Sequence, residues 1–121
     1  MPLIVEKYGG TSVGTSERIH AVADRVAASH RAGGNLVVVL SAMAGETNRL
    51  LKLAHEIDPE ADARETDVLV STGEQVTIAL LTIALHKLDV PARSYTGGQV
   101  RILTDNVYGK ARILDIDADM V

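Results

Sequence analysis

Cysteine, phenylalanine and tryptophan are absent from the 121 residues, and proline occurs three times. The lack of cysteine excludes disulfides, thiolate zinc sites and a cysteine nucleophile, and it fits a reducing, cytoplasmic setting. Three tyrosines are the whole aromatic complement, so stacking on nucleobases has little to draw on. Basic charge is also short: 12 Lys and Arg stand against 16 Asp and Glu, for a net charge of −4. No basic patch stands out, and nucleic acid is therefore not an expected partner. The N-terminus lacks the charged-then-apolar layout of a signal peptide. The longest apolar run, Val76 to Leu85, carries Thr77 and Thr82 and is too short to cross a bilayer, so no membrane association is expected.

What remains is an aliphatic chain. Apolar residues make up 46% of it, drawn from Val, Ile, Leu and Ala, a composition suited to strands and helices packed in layers. The length suits one domain or part of a larger one. The richest stretch is Lys7-Tyr8-Gly9-Gly10-Thr11-Ser12-Val13, which follows the apolar run Leu3-Ile4-Val5. A strand that turns through glycines into a helix N-terminus presents unpaired N–H groups and the positive end of a helix dipole. Lys7 adds a full charge at its mouth. The same layout also serves as a tight connection with no ligand. It is neither a P-loop, which places its Lys after the glycines, nor the G-x-G-x-x-G fingerprint.

Pro2 to Val5 reads as a buried strand. A helix capped by Ser16 follows, with Ile19, Val22, Ala23, Val26 and Ala27 on its inner face and Gly33-Gly34 at its end. Leu36 to Leu40 reads as a second strand, leading into the small-residue turn Ser41 to Gly45. The next helix runs from Glu46 or Thr47 to Ile57, with Leu50, Leu51 and Ala54 inward and Pro59 as its stop. A polar loop covers Asp58 to Glu65. Thr66 to Leu88 is helical, in two pieces meeting near Ser71-Thr72-Gly73, the second apolar on nearly every side and so expected to be central and buried. Pro91 opens a connection to a third strand at Ala92 to Tyr95, then a Gly97-Gly98 turn. Ile102-Leu103 and Arg112-Ile113-Leu114 are short extended segments around a turn at Asn106 to Lys110. The run from Asp115 to Val121 has the look of a further element beginning.

This alternation implies an α/β fold with a mostly parallel sheet and helices on its faces, whose ligands gather at the C-terminal strand ends. The turns at Gly9-Gly10, Ser41 to Gly45 and Gly97-Gly98 would then share one edge. Ser41 and Thr47 could merely cap the second helix. Glu74 could merely complement the dipole of a helix starting near Gly73, or it could bind a cationic group such as an α-amino group. His20, His30, His55 and His86 lack metal-ligand spacing. Asp115, Asp117 and Asp119 lack the glycine and closing glutamate of a calcium loop, so no metal ligands are expected. Tyr95 to Val100 echoes the opening motif, but no helix pattern follows it.

The KYGGTSV stretch resembles the signature of aspartate kinases, members of the amino-acid kinase fold. Val39-Leu40-Ser41-Ala42-Met43 with Thr47 is similar to a second segment of that family, and Ser71-Thr72-Gly73-Glu74-Gln75 before an apolar helix to a third. Thr104-Asp105 with Tyr108-Gly109-Lys110-Ala111-Arg112-Ile113 is similar to a fourth. The segments lie in family order across essentially the whole chain. The resemblance implies a three-layer sandwich, here incomplete, in which residues 1–121 form the N-terminal part of a catalytic domain with no complete second domain. It implies transfer of the ATP γ-phosphate to the side-chain carboxylate of L-aspartate, the entry to lysine, threonine and methionine. Mg²⁺ would be held mainly through the nucleotide phosphates.

Carried over by position, Lys7 would neutralise the transferring phosphate and act as the catalytic cation. Gly9 and Gly10, with Thr11 and Ser12, would hold the phosphate. Ser41 and Thr47 would contact aspartate or the phosphate side of the cleft, and Glu74 would hold the α-amino group. Family members continue into parts that hold the nucleotide base, further substrate residues and regulatory domains, so this chain alone is expected to be inactive. An incomplete sheet would expose an edge and an apolar face, which favours a homo-oligomer. A non-catalytic anion-binding or assembly module with the same fold is the alternative. Kinases of glutamate or acetylglutamate are the nearest rivals, against which Thr11-Ser12-Val13 and Thr72-Gly73-Glu74 argue for aspartate.

Overall fold

The computed structural model describes residues 3–117 and residue 119. The expected strand start at Pro2, and Ala118, Met120 and Val121 of the C-terminal run, lie outside the described residues. Strand β1 (Leu3–Tyr8) pairs in parallel with β2 (Asn35–Leu40), with Leu3 opposite Asn35 and Tyr8 opposite Leu40. Helix α1 (Ser16–Arg31) connects them. Its cap is Thr15 rather than Ser16: the Thr15 hydroxyl accepts from the Arg18 amide at 3.2 Å. All five residues read as its inner face are buried. Helices α2 (Glu46–Ile57) and α3 (Ala63–Lys87) follow, the second capped by Asp62, whose carboxylate accepts from the Glu65 amide.

Two further expectations need correction. The helix expected in two pieces is one continuous α3 of 25 residues. Ser71 and Thr72 turn their hydroxyls back onto the carbonyls of Val68 and Leu69, at 2.8 and 2.7 Å, so they do not compete for the ladder amides. Gly73 stays helical because α3 needs it for close packing: a Cβ there would lie 3.0 Å from the Ala42 Cβ. Second, Ala92 to Tyr95 is irregular, and a cavity of about 1300 Å³ separates this region from β2. An extended segment without a hydrogen-bonded neighbour is no strand. The two short extended segments expected around the Asn106 to Lys110 turn are β3 (Ile102–Thr104) and β4 (Ile113–Ile116), which pair antiparallel with each other. The hairpin leans on α3 through Asp67, whose carboxylate accepts from the Gly109 amide at 2.7 Å.

The core lies between the β1–β2 pair and the helices α1 and α3. Val22, Val26, Leu81, Ala84 and Leu85 pack there with Tyr8, Leu36, Val38 and Leu40. Glu6 shares that inner face by strand alternation. Its carboxylate accepts from the Tyr8 hydroxyl at 3.0 Å and from the Ser29 hydroxyl at 3.2 Å, tying the strand to α1. The opposite face has no cover among the described residues: Leu3 is 65% exposed and Val5 62%. Two layers of the three-layer sandwich are therefore present. The expected burial of α3 also holds on one side only, with Thr77 and Leu81 inside and Val76, Leu80 and Ile83 exposed. By length and composition alone α3 could cross a membrane.

Leu81→Ala removes side-chain volume from the packed side and should cost about 2–5 kcal/mol. Ile83→Ala, on the open side, should cost about 0.5 kcal/mol or less; denaturant unfolding of the two variants checks the contrast. Burial, then the Glu6 hydrogen bond and charge, raise the Tyr8 phenol above its ordinary value of about 10. The folded state thus holds this proton more tightly than the unfolded chain does. Its contribution is complete below pH ~10 and is lost as pH rises further. Tyr8→Phe should therefore flatten the alkaline fall in melting temperature relative to the parent chain.

Candidate functional site

Parallel pairing brings the ends of β1 and β2 together, and the two turns that leave them touch. The Ala44 amide donates to the Gly10 carbonyl at 3.1 Å, and the Ser41 amide to the Tyr8 carbonyl at 3.2 Å. The approach is so close that a Cβ on Gly10 would sit 2.9 Å from the Ala42 carbonyl oxygen. Gly9, one residue away, has open space around it. Against these turns lies a cleft of about 310 Å³, lined by Gly10, Ser41, Thr47, Asn48 and Glu74 among others. That volume is at the small end for ligand pockets and suits a small metabolite.

The cleft has two electrical poles. At one side is the N-terminus of α2, whose cap Gly45 offers no side-chain hydrogen bond. The Glu46 amide donates to the Met43 carbonyl and the Arg49 amide to the Gly45 carbonyl, while the amides of Thr47 and Asn48 have no protein acceptor among the described residues. Unpaired first-turn amides and the helix dipole favour an anion there. The Glu46 carboxylate does not oppose this. Arg49 holds it in a two-point pair at 2.6 and 3.0 Å, and that hydrogen bond keeps its carboxyl below the ordinary range. The same cleft is lined by Glu74, which makes no hydrogen bond or ion pair among the described residues. It stands well inside α3, so its reading as a dipole-complementing residue falls. The capping reading of Ser41 and Thr47 falls too, because Gly45 takes that position.

Four of the eight residues singled out in the sequence thus line one cleft: Gly10, Ser41, Thr47 and Glu74. Lys7, Gly9, Thr11 and Ser12 lie outside its lining. Lys7 falls opposite Val39 in the ladder, on the uncovered face with Leu3 and Val5. The turn after it is built of successive i→i+3 bonds: Ser12 to Gly9, Val13 to Gly10 and Gly14 to Thr11. The amides of Gly9 and Gly10 make no backbone bond among the described residues. Gly97-Gly98 does not join this edge and lines the larger cavity instead, which also reaches Glu74. Asn48 escaped the sequence reading; its signal is its place in the first turn of α2, beside Thr47.

A model of the amino acid kinase family matches residues 2–119. The chain belongs to the amino acid kinase family. It is 66% identical over 117 residues to an aspartate kinase of Pseudomonas putida, covering 97% of this chain and 28% of that one. To an aspartokinase of Thermus thermophilus it is 48% identical, covering 97% and 29%. Among solved structures, aspartate kinase from Synechocystis matches with a TM-score of 0.79 and 56% identity, over 82% of this chain and 17% of that one. Aspartokinase III of E. coli in complex with aspartate and ADP matches with a TM-score of 0.79 and 26% identity, over 93% and 35%. The resemblance to aspartate kinases and the amino-acid kinase fold are borne out by these relatives, which are kinases. The chain spans under a third of the length of the curated relatives it matches.

Gly10→Ala should cost about 1–3 kcal/mol, because backbone must move to admit the methyl group. Gly9→Ala should stay within about 0.5 kcal/mol. Paired urea titrations of the two variants measure the difference.

Proposed function

We propose that residues 1–121 form the N-terminal part of an aspartate kinase catalytic domain, the part that holds the amino acid and the transferring phosphate. The reaction is transfer of the γ-phosphoryl group of ATP to the side-chain carboxylate of L-aspartate, giving aspartyl 4-phosphate. That product feeds amino-acid biosynthesis toward lysine and threonine, in the cytoplasm. The observation that carries the reading is the composition of the cleft: an α-amino acid is itself a zwitterion, and one small cleft is lined both by the open N-terminus of α2 and by the unpaired Glu74.

Glu74 accepts the α-ammonium group. Ser41, Thr47 and the open amides of α2 take carboxylate or phosphate oxygens. Gly9 and Gly10, with Thr11 and Ser12, give the phosphate its N–H and hydroxyl partners, and Lys7 swings from the strand end to neutralise charge as the phosphoryl group moves. Phosphoryl transfer depends mainly on such positioning and charge stabilisation. Mg²⁺ would be held mainly through the nucleotide phosphates, where it would supply charge neutralisation; among the described residues no group of three His, Asp or Glu could hold it. The exposed Leu3 and Val5 support self-association of the chain.

The chain by itself should give no turnover with MgATP and aspartate in a coupled assay, because it spans only 28% of a relative such as the Pseudomonas putida enzyme. Turnover at a full-length enzyme's rate would refute the half-site reading. Calorimetric titration with L-aspartate tests the cleft directly. Glu74→Ala should weaken binding about tenfold or more, the value of one charge-assisted hydrogen bond. Unchanged affinity in that variant would remove Glu74 from the site.

A further inference from the structure

Arg18 lies in the first turn of α1 and is exposed, yet its side chain reaches back seven residues along the chain. One of its terminal nitrogens donates to the Thr11 carbonyl at 3.1 Å. That carbonyl belongs to the glycine turn, whose Gly9 and Gly10 carbonyls are held by backbone. Gly9 accepts from Ser12 at 3.1 Å, and Gly10 accepts from both Val13 at 3.3 Å and Ala44 at 3.1 Å. Thr11 receives from the backbone only the Gly14 amide, at 3.4 Å, the longest bond of the series. Arg18 therefore supplies the shorter of the two bonds on the turn's weakest link.

The geometry couples that link to the ligand side. The Thr11 carbonyl and the Ser12 amide share one rigid peptide plane. Fixing the carbonyl fixes the Ser12 N–H on the Gly9 carbonyl. The Gly9 carbonyl shares its plane with the Gly10 N–H, which is left facing away from the turn and has no acceptor among the described residues. A rotation of the Thr11–Ser12 peptide would undo this sequence from its far end. Arg18 also brings charge. A guanidinium has five N–H donors and keeps its proton at any working pH. One donor is spent on Thr11, and Arg18 has no acidic partner among the described residues.

We infer that Arg18 is a positioning residue for the phosphate-holding turn: it pins the Thr11 carbonyl so that the Gly10 amide stays directed at a phosphate group, and it adds unneutralised positive charge beside it. The inference rests on the proposed reading of this turn as a phosphate site. Amide NMR on the purified chain separates the two, with ATP as the probe because it carries the γ-phosphate. In the parent chain, ATP should shift the Gly10 and Thr11 amides; no shift there sinks the phosphate reading and, with it, this role for Arg18. Before any ligand is added, Arg18→Ala should speed hydrogen exchange at Ser12 about tenfold, with the melting temperature unchanged, as suits an exposed residue. Unchanged Ser12 exchange overturns the pin whatever ATP does. With ATP, Arg18→Ala should weaken binding about threefold to tenfold, a range discounted for solvent screening. Arg18→Lys keeps the charge without the planar fork, so it should recover only part of that loss. Full recovery with Ser12 exchange still fast overturns positioning and leaves charge alone.

Discussion

The contact between the Gly10 carbonyl and the Ala44 amide, made across a gap with no room for a Cβ on Gly10, is the constraint on which the site depends. It exists because β1 and β2 are parallel and end level, Tyr8 opposite Leu40. Parallel strands deliver both C-terminal ends to one edge, and the loops leaving them must then share a small space. Glycine at position 10 and small residues from Ser41 to Gly45 let those loops close on each other. The same closure aims the start of α2 at the cleft. Gly73 extends the argument to α3, because its missing side chain lets that helix approach Ala42 and bring Glu74 into the cleft lining.

The charges in the cleft are arranged to stay available. A helix N-terminus is commonly capped by a side-chain oxygen, which would satisfy the donors that a ligand needs. Gly45 in the left-handed region, with φ of 79°, leaves them open. The acidic residue nearest those donors, Glu46, is turned aside by Arg49. Glu74, exposed to solvent, has no partner among the described residues. An uncapped helix end gives up a capping hydrogen bond, and an exposed unpaired carboxylate contributes nothing to folding. Both line one small cleft in a chain of the amino acid kinase family.

Much of this was legible in the sequence. The five inner residues of α1 followed from helical spacing, and the turn-forming glycines followed from their dipeptides. Ser41, Thr47 and Glu74 were legible only through resemblance, since each had an equally good local explanation. It took the fold to remove those explanations, by placing Gly45 at the cap and Glu74 in mid-helix. What stayed illegible was tertiary. Ser71-Thr72-Gly73 carries every local sign of a helix break, and packing against Ala42 overrides it. Ala92 to Tyr95 carries strand propensity, but propensity supplies no pairing partner. Asn48 had no signal beyond its helix position.

The apolar length of α3 is the last consequence of the layered design. By composition it passes for a membrane span, yet its buried positions, Gly73, Thr77, Leu81, Ala84 and Leu85, form a stripe at helical spacing rather than an even coat. Thr77 is fully buried on that stripe and satisfies its hydroxyl internally, on the Gly73 carbonyl at 3.1 Å. Its small residues admit close neighbours, where a lipid-facing helix would have no need of them. Val76, Leu80 and Ile83 point the other way and find nothing among the described residues. A helix apolar on both sides, over a sheet apolar on both faces, is the pattern of an element meant to lie between layers. The uncovered side of α3 and the uncovered face of β1 thus have one cause: the residues specify burial on two sides, and the described residues supply cover for one. Lys7 sits on that uncovered face, which is why the cleft can form while Lys7 stands outside its lining.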